Sequence, residues 1–99
     1  MKTANKKQRR RIRRTAELWY EDGTVEQITP VNGQTFSLEE MQEAVEGRIE
    51  EMRISDTEFL VMNEEGRLIG MSANVRASIT ARRLVVGPVV YVPRRSLFR

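Results

Sequence analysis

Apolar positions along the chain come in short blocks. Residues 16–20, AELWY, and 24–28, TVEQI, set aromatic and β-branched side chains on either side of Glu21-Asp22-Gly23. An Asp-Gly step between two such blocks predicts strand, turn, strand. Pro30 ends the second strand, and Asn32-Gly33 is a turn pair. Leu38, Met41, Ala44 and Val45 then recur at intervals of three and four, which predicts a helix over about 37–46. Ser37 and Glu40 have the spacing of a capping box, Phe36 can staple onto Met41, and Gly47 is read as the helix stop.

The second half continues in kind. Ile49, Met52 and Ile54 stand among charged residues and predict a strand with one buried face. Ser55-Asp56-Thr57 turns the chain, and the apolar run Glu58 to Met62 predicts a central strand. Asn63-Glu64-Glu65-Gly66 forms a tight turn, after which Arg67-Leu68-Ile69 can pair back. Asn74, as N-cap, opens a short helix to about Arg83, with Val75, Ile79 and Ala77 or Ala81 inward. Leu84 to Val92 is a β-branched run, and Gly87-Pro88 within it marks a bulge or an exposed edge. The sum is an α+β fold: a small antiparallel β-sheet with one or two helices packed on one face.

Charge changes the picture at the N-terminus. Of the 99 residues, the first fourteen hold eight Lys and Arg and no acid. Residues 15–99 hold nine Arg against fourteen acids, a net of −5. The organisation expected is a basic disordered arm over 1–14 and one α+β domain over 15–99. With neither Cys nor His, the chain lacks a disulfide framework, a thiolate metal site and the usual imidazole base. No apolar run reaches the ~20 residues of a membrane span, and no apolar stretch follows the basic start as in a secretory signal. A cytoplasmic protein without a cofactor is expected.

Several motifs fall in a familiar order: Pro30-Val31-Asn32-Gly33, Phe36 to Gln42, Gly47-Arg48-Ile49-Glu50, Asn63 to Leu68, Asn74, Ala77 and Val86-Gly87. Over about residues 28–92 the chain resembles the DUF3846 family of small proteins, found mostly in phages and mobile elements and without an assigned function. It departs from that family's pattern in having Glu46-Gly47 for a Gly-Gly pair, Ser72-Ala73 where a Pro is common, and Pro88 for an acid.

The candidate sites each admit two readings. Glu64 and Glu65 are solvated turn residues, or their turn carries Asn63, Gly66 and Arg67 on the rim of a pocket. Asn74 is a cap, or it marks an anion-friendly helix start in which Arg76 has a role. Trp19 and Tyr20 divide between the two faces of the first strand, for packing or for base stacking. Gly87-Pro88 defends an edge or docks a second subunit. The favoured function is a non-enzymatic phage or mobile-element accessory protein. It would sequester an anionic, nucleotide-like signal or a host protein, as anti-defence factors do. Its ligand residues would be Arg48, Arg53, Asn63, Arg67, Asn74 and Arg76. A homo-oligomer is expected, because a domain this small rarely encloses a ligand by itself. The alternative is nucleic-acid binding through Lys6, Lys7, Arg9, Arg10, Arg11, Arg13 and Arg14. An enzyme using Glu50, Glu64 or Glu65 with Mg²⁺ is the third reading, and no acid spacing favours it.

Overall fold

The computed structural model describes residues 14–98. Five strands, β1 (Ala16–Trp19), β2 (Val25–Ile28), β3 (Ile49–Arg53), β4 (Phe59–Asn63) and β5 (Val89–Val92), form one antiparallel sheet in the order β2-β1-β5-β4-β3. Helix α1 (Leu38–Val45) lies between the two hairpins in sequence, and α2 (Val75–Ala81) lies between β4 and β5. The α+β class and the antiparallel sheet are as expected.

Local chemistry accounts for the elements. Asp22 Oδ1 accepts from the backbone N–H and the hydroxyl of Thr24, which closes the β1–β2 turn. The Ser37 hydroxyl accepts from the Glu40 N–H, and the Glu40 carboxylate accepts from the Ser37 N–H. This is the capping box, and such caps contribute about 1 kcal/mol. Glu40 also accepts from the Val31 N–H at 2.7 Å, so the cap ties down the preceding turn.

Strand alternation splits the core in two. Ala16, Leu18, Phe59, Val61, Val90 and Val92 meet Met41 and Val45 of α1 on one face. Trp19, Leu60, Met62 and Val89 meet Ala77 of α2 on the other. Of the two helices, then, α1 covers one face and α2 takes the opposite one. β3 follows the same parity: Ile49 packs on the α1 side, whereas Met52 and Ile54 pack on the α2 side. The single buried face read for that strand is corrected, because residues an odd number apart on a strand point to opposite faces.

Four further expectations are corrected. Arg67-Leu68-Ile69 does not pair back: both edges of β4 are already occupied by β3 and β5. Val75 and Ile79 of α2 are exposed, and the short residue Ala77 faces the sheet, which lets the helix approach closely. Gly87-Pro88 is buried and leads into β5, the middle strand, so it guards no edge. The helix stop at α1 is Glu46, in the left-handed region at φ 67°, and not Gly47. The tail also packs. Leu97 and Phe98 are buried on the α1 side, and the Phe36 N–H donates to the Leu97 carbonyl at 2.7 Å.

Candidate functional site

The six candidate ligand residues fall into three places. Asn63 and Asn74 are buried, and their amides are engaged within the fold. Asn63 Nδ2 donates to the carbonyls of Val45 and Glu46 at the end of α1, at 3.0 and 3.2 Å, and its Oδ1 accepts from the Glu65 N–H. Asn74 is fully buried. Its Oδ1 caps α2 through the Ala77 N–H, and its Nδ2 donates to the carbonyls of Trp19 and Gly87. Each Asn therefore fastens a helix terminus to the sheet. This agrees with the cap reading of Asn74.

Arg53 stands at the far end of the sheet. Its Nε donates to the Ser55 carbonyl and its guanidinium lies 3.4 Å from Asp56. It borders a groove of about 430 Å³ that also holds Glu51, Asp56, Glu58, Phe59 and Arg95. Arg95 pairs with Glu51 at 2.8 Å and lies over the Phe59 ring. The groove is large enough for a small ligand. Its three acids and two already paired arginines do not favour an anion.

The remaining three cations lie toward α2. Arg48 is exposed and 3.6 Å from Glu64. Such exposed pairs contribute little. Arg76 sits over the Trp19 ring at 5.6 Å, and Trp19 stacks in parallel on Tyr91 with centroids 5.2 Å apart. Trp19 is thus a packed residue, with Tyr20 against the opposite cluster. Arg67 lines a cleft of about 140 Å³ with Asn63, Glu64, Leu68, Arg83 and Leu84. Arg83 is held 3.4 Å from Glu50, while Arg67 makes no ion pair among the described residues. So the structure brings Asn63, Glu64 and Arg67 to one cleft, and leaves Arg53 and Arg76 elsewhere. Glu64 and Glu65 are both exposed. Among the described residues no three acids gather as a cation site would need.

One feature was missed by reading motif by motif. Residues 66–98 hold six Arg and no acid, while 15–65 hold fourteen acids and two Arg. The fold carries part of this to the two helices. Glu39, Glu43 and Glu46 belong to α1 on one face, and Arg76, Arg82 and Arg83 belong to α2 and its end on the other. Aliphatic side chains accompany the cations: Leu68, Ile69, Val75, Ile79 and Leu84 are all exposed. Counting charge in windows longer than one element would have revealed the division.

Of the basic arm, Arg14 alone lies within the described residues. Lys6, Lys7, Arg9, Arg10, Arg11 and Arg13 lie outside them. The β1–β5 register ends at Glu17 with Tyr91, so Arg14 lies before the paired part of β1. Among the described residues no helix is long and apolar enough to cross a membrane.

Comparison with known proteins gives one match. The family model described as a domain of unknown function (DUF3846) matches residues 18–96. The match takes in most of the first hairpin and the start of the tail, beyond the stretch of 28–92 read from the motifs. No curated protein and no solved structure matches the chain.

Proposed function

Because the chain belongs to the DUF3846 family, whose description assigns no activity, its function must be argued from its surfaces, and we propose that it is a non-enzymatic protein that grips an acidic protein factor through its α2 face. The observation that carries this is the cleft where Arg67, Leu68, Arg83 and Leu84 converge from two separate segments. At about 140 Å³ it is smaller than the roughly 300–1,000 Å³ usual for an enclosed small ligand. A nucleotide-like signal is therefore less well supported than a macromolecule that lies across the cleft. Unpaired Arg67 and Arg82 attract carboxylates, and the exposed aliphatics favour a partner with apolar side chains. A phage or mobile-element origin, a host target and a cytoplasmic setting complete the reading.

Immobilised chain and its Arg67→Glu/Arg82→Glu variant test this in bacterial extract. The wild type should retain acidic proteins that moderate salt releases, and the variant should lose them. Equal retention by both removes the α2 face from the account. A thermal shift by nucleotide signalling molecules would favour the small-ligand form instead.

Nucleic-acid binding through the arm stays as the second reading, supported by the eight Lys and Arg among the first fourteen residues. Deleting residues 1–14 should then flatten the salt dependence of RNA or DNA binding.

A further inference from the structure

We infer that copies of this chain associate head to tail, the Leu68-Ile69 turn of one copy entering the cleft between β2 and α1 of the next. The two surfaces complement each other in shape and in charge. The cleft, about 240 Å³, is lined by Leu18, Ile28, Val31 and Ala44, with Glu40 and Glu43 at its rim. Val31 is 90% exposed and offers its side chain to whatever enters. The turn is the converse surface. Leu68 and Ile69 stand 87% and 61% exposed, with Arg67 immediately before them. Burying exposed aliphatic side chains is favourable, so both surfaces gain by contact.

Charge sets the partner and the orientation. Glu40 is already engaged by the N–H groups of Ser37 and Val31, which leaves Glu43 as the carboxylate for an incoming Arg67. Arg67 has no competing ion pair among the described residues. Around these two, the excess of glutamate on α1 meets the excess of arginine on and beside α2. The glutamates of α1 repel one another, so a contact of α1 face on α1 face is disfavoured.

The turn lies on the α2 side of the sheet and the cleft on the α1 side, so the contact is heterologous. Each copy can present a turn to one neighbour and a cleft to another, which builds a ring or an open chain. The turn is part of the face proposed above for the acidic partner. A copy whose turn is seated in a neighbour is closed to that partner, so assembly regulates access. This regulatory role rests on the partner reading, while the assembly itself does not and is measured with purified chain alone.

Sedimentation velocity over a range of concentrations, at low and high salt, decides it. The wild type should rise at least about twofold in weight-average mass at low salt and fall back at high salt. Two variants at exposed positions separate the halves of the contact: Arg67→Glu/Leu68→Asp spoils the turn, and Val31→Asp/Glu43→Lys spoils the cleft. Each alone should stay monomeric, with an unchanged melting temperature. Mixed in equal amounts they should form dimers and stop there, since one intact turn and one intact cleft remain. A wild type monomeric at every concentration, or either variant assembling like the wild type, overturns the inference. So does a mixture that stays monomeric. A wild type that stays monomeric yet still retains acidic proteins would refute the contact and spare the partner reading.

Discussion

The Asn63 side chain lies so close over Gly47 that a Cβ on residue 47 would sit 2.6 Å from Asn63 Nδ2. That amide closes the end of α1 by donating to Val45 and Glu46. Gly47 is therefore required by proximity and not by its backbone angle. The residue that needs glycine's backbone freedom is its neighbour Glu46, at φ 67°. Two opposite outcomes follow. Gly47→Ala should lower stability by about 1–3 kcal/mol, because Asn63 must move and leave buried carbonyls without donors. Glu46→Gly should raise it by about 0.5–1 kcal/mol, through release of left-handed strain. Urea unfolding of both variants checks the pair.

Asn74 joins three segments, α2, β1 and the approach to β5, through one fully buried side chain. Asn74→Ala removes the cap and strands the carbonyls of Trp19 and Gly87. The expected loss is about 2–4 kcal/mol. Asn74→Asp still accepts from Ala77 but turns a carboxylate toward two carbonyls, so it should fail to restore stability. Recovery by Asp in equilibrium unfolding would show that capping alone was the role.

Tyr91 donates its phenolic hydrogen bond to the Glu58 carboxylate. Burial, reinforced by that bond, pushes the Tyr91 phenol up to about 12. The same bond, with a second from Ser55, holds Glu58 below its ordinary carboxylate value. A depressed carboxylate contributes stability above its unfolded pKa and loses it as pH falls through the folded one. The raised phenol contributes below pH 10 and loses its share as pH rises toward about 12. The chain has two tyrosines, Tyr20 and Tyr91. Absorbance titration of Tyr91→Phe should lose the component near 12 and retain Tyr20 alone. Its acid unfolding should also lose part of the decline that the wild type shows below about pH 4.5.

The sequence was most legible where the signal is local. Asp22-Gly23 and Ser37-Leu38-Glu39-Glu40 specify a turn and a cap through neighbouring atoms, and both form. It was least legible where a tertiary choice decides. Val75 and Ile79 are more apolar than Ala77, yet only the small side chain lets α2 lie close to the sheet. Nothing local places β5 in the middle of the order, and so Gly87-Pro88 read as a bulge or an edge. For the site, residue type could not reveal that the amides of Asn63 and Asn74 are used internally, since the carbonyls they serve lie up to 55 positions away. The charged face was written in the sequence, but at a length scale longer than any motif.

If Arg67 and Arg82 make the surface that grips while Asn63 and Asn74 only hold the frame, one charge reversal should separate binding from folding. The most direct measurement is retention of acidic proteins from bacterial extract by immobilised Arg67→Glu/Arg82→Glu, with its melting temperature taken alongside. The account predicts an unchanged melting temperature and retention lost. Retention at the wild-type level by the folded variant would contradict it.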